Sequence, residues 1–210
     1  MGARENILGR LKQASERRGK VELEKPDFEQ SVYLEQGRDL ADNFKTNLEL
    51  VAGTVIRTKN LETATEELKS ILTDLKVERP FVLDTKLKKA FKDKVDFTSS
   101  KKDFESLEVG ITPCEFLVAH LGSALISSSG ASGRRLHVFP ETHIIVAHEK
   151  QLVNYLDDGL EKLQEKYKGN LPSMVTNITG PSRTADIEKT LVMGMHGPRK
   201  LFVLLCEEPF

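Results

Sequence analysis

The richest run of reactive groups lies near the C-terminus, from Gly180 through Pro181, Ser182, Arg183, Thr184, Ala185, Asp186 and Ile187 to Glu188. It follows an apolar β-branched segment and leads into a helical pattern, so it predicts a strand-to-helix turn. Ser182 or Thr184 suits the N-cap of that helix. Asp186 and Glu188 suit the positive end of its dipole, whereas Arg183 suits it only when paired with a carboxylate or a bound anion. Free N–H groups at such a helix start also favour an anion. Two readings follow. One is a carboxylate or phosphate site at the strand–helix turn, where open α/β sheets take their ligands. The other is a capped turn in which Arg183 bridges to Asp186 or Glu188. Residue types alone do not separate them.

A second motif, Gly194-Met195-His196-Gly197-Pro198-Arg199, precedes the last apolar run. His196 is suited to general acid or base work and Arg199 to a second anion contact. A tight turn with a hydrogen-bonded histidine uses the same residues. The loop Ser127-Ser128-Ser129-Gly130-Ala131-Ser132-Gly133, followed by Arg134 and Arg135, superficially suggests a phosphate cradle. It lacks the GxxxxGK[ST] pattern and any dinucleotide fingerprint, so a mobile hairpin or lid loop is expected.

Other chemistries find less support. His143 and His148 are five apart on one predicted strand, which turns them to opposite faces, so no shared metal site is expected. The chain holds two cysteines, Cys114 and Cys206, too few for the four thiolates of an iron–sulfur cluster. No flavin or nicotinamide motif occurs, so no cofactor is expected in this chain. Lys86, Lys88, Lys89, Lys92 and Lys94 form the densest basic stretch, but without an aromatic stacking array nucleic-acid binding is not expected. Glu161, Lys162, Glu165 and Lys166 read as a solvated helix face. Glu115, Glu141 and Glu188 are available as nucleophiles, though none sits in a defined signature.

The elements that must position these groups follow from the apolar rhythm. With 210 residues and 39% hydrophobic content the chain can bury a core, and its apolar runs are strand-length, too short to span a bilayer. A net charge of -1 implies neither a nucleic acid nor an anionic membrane. The N-terminus has no apolar signal core, which predicts a cytoplasmic protein. Ile7, Leu8, Leu11 and Ala14 mark an amphipathic helix, and Leu40, Phe44 and Leu48 mark a second. Together they predict an N-terminal helical arm over 1–48, before an α/β domain over 49–210. Within that domain Leu50–Arg57 reads as a strand and Leu61–Leu75 as a helix with a Thr63/Glu66 capping box. Phe81–Leu83 is a short strand, and Leu87 with Phe91 marks a short helix. Strands follow at Phe116–His120, Ala124–Ser127, His143–His148, Met174–Thr179 and Leu201–Leu205, with a helix on the Leu152 to Tyr167 stripe stopped by Gly169 and Pro172. The alternation predicts an α/β fold with a mostly parallel sheet flanked by helices.

The two glycine motifs, in this order and spacing, resemble the lactate utilization domain family, most closely its C-type members. The resemblance runs back through Gly110-Ile111-Thr112, the Ala119–Ser123 turn and Arg135-Leu136-His137-Val138-Phe139-Pro140, and covers roughly 105–206. It implies a fold similar to the ribose-phosphate isomerase and CoA-transferase class. It also implies work beside two iron–sulfur partner proteins that oxidise L-lactate to pyruvate. C-type members lack the cluster cysteines, in keeping with the count here. The family's Asp-Thr-Gly-Thr-like turn reads His120-Leu121-Gly122-Ser123 in this chain, so the acid and one hydroxyl are gone and Ser123 keeps the other. The expected site is therefore a small carboxylate or phosphate held by Ser182, Arg183, Thr184, His196, Arg199 and Ser123, with catalytic residues unassigned. The expected role is a non-redox subunit of a lactate-oxidising system. A stand-alone CoA-transferase-like or isomerase-like enzyme and a metabolite-binding module are the alternatives.

Overall fold

The computed structural model describes residues 2–17, 39–92, 94–99, 104, 106–185 and 191–209. The chain forms two compact units, Met1–Glu35 and Gln36–Phe210. The first contains helix α1 (Ala3–Arg17), whose Ile7, Leu8 and Leu11 are exposed. The rest of the fold belongs to the second unit. No helix among the described residues is long and apolar enough to cross a membrane.

The second unit is built on a five-stranded sheet, β2 (Phe81–Val82), β3 (Val109–Pro113), β6 (Thr142–His148), β11 (Lys200–Cys206) and β1 (Thr54–Thr58) in spatial order, with every pairing parallel. The expected mostly parallel α/β sheet is the one observed. Its strands are apolar on consecutive residues because both faces are covered. Ile144 and Val146 of β6 pack with helix α3 (Leu61–Asp74) and helix α4 (Thr85–Phe91), through Leu68, Ile71, Leu87 and Phe91. Ile145 and Ala147 turn to the other face, against helix α2 (Leu40–Leu50) and a smaller sheet. That sheet has the order β7 (Leu152–Val153), β4 (Phe116–Val118), β5 (Ser123–Ser127) and β8 (Val175–Ile178). Helix α5 (Leu156–Lys166) closes its outer face through Leu163 on Val118, Leu125 and Val153.

Several local readings shift. Phe44 and Leu48 of α2, read as part of the arm, are fully buried in the core between the two sheets. The strand read from Leu50 starts later: α2 runs to Leu50, Ala52 takes a φ of 65°, and the Gly53 N–H closes on the Leu48 carbonyl at 3.0 Å before β1 begins. The box on α3 is made by Asn60, not by Thr63 with Glu66. The Thr63 N–H donates to Asn60 Oδ1 at 3.1 Å, and the Asn60 N–H donates to Thr63 Oγ1. Leu152 belongs to β7 rather than to the following helix. The stop of α5 is as expected, with Lys168 and Gly169 both at positive φ.

The largest departure is the segment expected to open a helix at Ser182 or Thr184. Arg183–Ala185 is strand β9, paired antiparallel with β10 (Leu191–Met193), so neither residue is an N-cap. Asp186 to Glu188 lie outside the described residues. The strand's partner, β10, follows closely in the chain, and two backbone bonds of longer reach flank the pair. The Ser182 N–H donates to the Pro198 carbonyl at 2.8 Å, and the Gly194 N–H donates to the Ser182 carbonyl at 2.9 Å.

Candidate functional site

Parallel strands give the sheet two chemically different edges, and each carries a cleft. At the N-terminal edge, a cleft of about 600 Å³ is lined by Glu108, Phe139, Glu141, Met195, His196 and Arg199 among others. It lies where β3, β6 and β11 begin. The glycine motifs are zipped together here by the backbone bonds just described, and Gly197 sits against Ser182. Of the six expected site residues, His196 and Arg199 line this cleft. Arg183 is exposed on β9, with Thr184 beside it. The Arg199 guanidinium lies 3.8 Å from Glu141 Oε1, and both side chains are 62% exposed. Such a pair contributes under about 1 kcal/mol. Ser123 is elsewhere: it is fully buried in the β4–β5 turn, and its hydroxyl has no partner among the described residues.

At the C-terminal edge, where open α/β sheets hold ligands, a second cleft of about 400 Å³ is formed by the ends of β3, β5 and β6, the β2–α4 connection and the end of α5. Its centre is Glu115, one residue past Cys114 and two past the end of β3. The side chain is 10% exposed. Glu115 Oε1 accepts from the Tyr167 hydroxyl at 2.7 Å and from Ser127 Oγ, while Oε2 pairs with Lys166 Nζ at 2.5 Å. Burial pushes this carboxyl up, but the bonds from Lys166, Ser127 and Tyr167 outweigh it and hold it below the usual carboxylate range. Ser129 Oγ completes the network, bonded to Tyr167 and lying 2.7 Å from Ser127 Oγ.

Around this centre, Gln151 fastens the strand ends. Its Nε2 donates to the Cys114 carbonyl at 2.6 Å, and its Oε1 accepts from the His148 N–H at 3.0 Å. Cys114 is partly buried, and burial, with Glu115 next to it, pushes its thiol far above the usual thiol range. It is no nucleophile in this state. Asp84 caps α4 by accepting from the N–H groups of Lys86 and Leu87, both at 2.9 Å.

Sequence reasoning placed Lys166 on a solvated helix face and left Glu115 without a context. Their separation of 51 residues hides the pair from any local pattern. The available signal was the serine loop, which ends β5 and supplies Ser127 and Ser129. The network has a measurable weight. Glu115→Ala strands two hydroxyls and is expected to cost about 2 kcal/mol. Lys166→Ala, which removes a 54% exposed partner, is expected to cost under about 1 kcal/mol. Urea unfolding of the two variants checks the order, and equal losses would mean the hydroxyls contribute nothing.

Residues 41–206 match the LUD domain family. Among curated proteins, the chain is similar to Lactate utilization protein C of Shouchella clausii, with 32% identity over 117 residues, 54% of this chain and 51% of that protein. It is also similar to Lactate utilization protein C of Bacillus subtilis, with 33% identity covering 51% of this chain and 45% of that one. The chain thus spans about half the length of the curated relatives it matches. Among solved structures, a DUF162 family protein from Deinococcus radiodurans shares the fold, with a TM-score of 0.60, 18% identity, and coverage of 80% of this chain and 96% of that one. From Ala41 to Cys206, which takes in the whole parallel sheet and both glycine motifs, the chain belongs to the LUD domain family.

Proposed function

We propose that this chain is the non-redox subunit of a cytoplasmic L-lactate-oxidising system and works with iron–sulfur partner proteins. The observation that carries the reading is the family match over the sheet together with relatives named for lactate utilization. Two cysteines, one partly buried and one buried beside Thr58, leave electron removal to a partner. The test is anaerobic capture of a tagged chain from its native cells, assayed for bound iron and lactate-dependent dye reduction. Iron-bearing partners with lactate activity are expected. An iron-free eluate with no lactate response would overturn the reading.

The cleft around Glu115 favours a second reading, a stand-alone CoA-transferase-like or isomerase-like enzyme or a metabolite-binding module for a small carboxylate or phosphate. Turnover by the isolated chain would favour the enzyme, and binding without turnover the module. The glycine motifs remain the proposal for a separate anion contact at the opposite edge, with Arg183 and Arg199 as its cations and Ser182, Thr184 and His196 around it. Arg183→Ala combined with Arg199→Ala is expected to weaken inorganic phosphate binding severalfold and to leave the melting temperature within about 2 °C, because both guanidiniums are exposed. Unchanged phosphate binding with a lower melting temperature would make the arginines structural.

A further inference from the structure

The hydroxyl protons of the C-terminal-edge cleft can be placed by counting. An ionised carboxylate only accepts. Ser127 and Tyr167 both bond Glu115 Oε1, so each spends its single hydrogen there. Ser129 Oγ is within hydrogen-bond distance of both those hydroxyls. Neither has a hydrogen left to give, so Ser129 is the donor to one of them. Its own proton is committed to the network, which leaves its oxygen lone pairs for whatever enters. Ser129 is exposed at the cleft, so those lone pairs can be reached from solvent.

Ser132 has the complementary polarity. It is 5% exposed, lines the same cleft, and its Oγ has no partner among the described residues. A buried hydroxyl left unpaired is a standing cost that a ligand oxygen relieves. The cleft therefore offers an acceptor at Ser129 and a donor at Ser132. Leu87, Pro113, Ile126 and Val146 add apolar wall.

Charge narrows the ligand further. The carboxylates of the lining are Asp84 and Glu115, and its ammonium groups are Lys86 and Lys166. Glu115 takes Lys166, and Asp84 is spent on backbone amides. Lys86 makes no ion pair among the described residues and is the one ammonium of the lining free for a ligand. A monoanion matches that single charge, whereas a phosphate dianion would sit near two carboxylates with one free cation to meet it.

We infer that this cleft binds a small hydroxycarboxylate, whose hydroxyl donates to Ser129, whose oxygen accepts from Ser132, and whose charge is balanced by Lys86. The inference rests on the proposed lactate role only for the choice of acid to try first.

The test is an NMR titration of the full chain with L-lactate, propionate, pyruvate and inorganic phosphate. Propionate lacks the hydroxyl, and pyruvate puts an acceptor where the donor belongs. L-lactate is expected to bind at least about tenfold more tightly than either, and phosphate is not expected to displace it. Ser129→Ala should bring the lactate-to-propionate ratio close to one without changing the melting temperature. Ser132→Ala should weaken all three carboxylates and leave that ratio intact. Pyruvate binding as tight as lactate, a ratio that survives Ser129→Ala, or no saturable binding of any carboxylate would overturn the inference. The capture experiment is independent of this one. Iron-bearing partners without a lactate preference in the isolated chain would sink this inference alone. A lactate preference without such partners would sink the subunit reading alone.

Discussion

Gly122→Ala is expected to cost more than about 4 kcal/mol, enough to unfold much of the protein, while Gly133→Ala is expected to cost about 1 kcal/mol. The two glycines share a backbone conformation, with φ of 59° and 60°. A side chain in that region costs about 1–2 kcal/mol at either position. They differ in what a methyl group would meet. At Gly133 there is nothing within 4 Å. At Gly122 the new carbon would lie 2.2 Å from the backbone nitrogen of Leu48 and 2.5 Å from the carbonyl carbon of Asn47. The obstacle is main chain, and it is pinned. Phe44 and Leu48 of α2 are buried between the sheets, and Asn47 Nδ2 donates back to the carbonyls of Ala119 and His120 at 2.9 and 3.1 Å. Relief would require prising α2 off the β4–β5 turn. Against a typical stability of about 5–15 kcal/mol, that loss is decisive. Urea unfolding of both variants measures the difference. A gap smaller than about 1.5 kcal/mol would show that α2 and the turn yield.

That turn also illustrates what the sequence reveals and what it hides. The apolar runs at Ile144–Ala147 and Leu201–Leu205 announce buried parallel strands because both faces demand apolar residues, and they appear where expected. The helix stripes of α3 and α5 are legible for the same reason. The candidate site is another matter. Ser182 and Thr184 carry good capping chemistry, yet Thr184 pairs with Val192 in the antiparallel β9–β10 pair and the Ser182 backbone bonds Gly194 and Pro198, so a residue type that suits a cap serves a strand instead. Thr63 was read as the cap of α3 when its hydroxyl serves Asn60 from inside the first turn. The Glu115 centre draws on a strand end, a serine loop and the last turn of α5, with its longest link spanning 52 residues. Each piece alone resembles ordinary surface, and only closure of the small sheet makes them a site. The serine loop stands out by its composition. Its assignment to a cleft depended on knowing which edge of the sheet it would meet.

Acid should destabilise this protein well above the range in which its carboxylates titrate. His143 is the second residue of β6, with its side chain on the face of Ile145 and Ala147, and it is fully buried. Its Nε2 shares a hydrogen bond with Thr112 Oγ1 at 2.8 Å, and its Nδ1 has no partner among the described residues. His137 is 3% exposed, and neither of its ring nitrogens is partnered among those residues. Burial first, and then the neighbouring His137, push His143 down to about 3. Burial alone pushes His137 down. The sign follows from proton counting. Between about 6.5, where an unfolded histidine titrates, and about 3, the unfolded chain holds a proton on His143 that the folded chain refuses, so stability is full above that window and falls as pH drops through it. Each such histidine removes up to about 1.4 kcal/mol per pH unit, and His148, lowered by burial and then by Lys150, adds a loss of the same sign. Glu115, with its carboxyl held low, adds a loss of the same sign only below its unfolded value of about 4.3. Denaturant unfolding between pH 6.5 and 5 therefore isolates the histidines. His143→Asn is expected to flatten the slope by up to about 1.4 kcal/mol per pH unit, and adding His137→Leu to flatten it further. An unaltered slope in His143→Asn, or an imidazole signal of His143 that titrates near 6.5 in the folded protein, would show that water or a rearranged partner reaches the ring. The consequence reaches the cleft, because Val146 and His148 at the other end of β6 form part of its floor and rim. A proton forced onto buried His143 would act on the same strand that supplies these two residues of the lining.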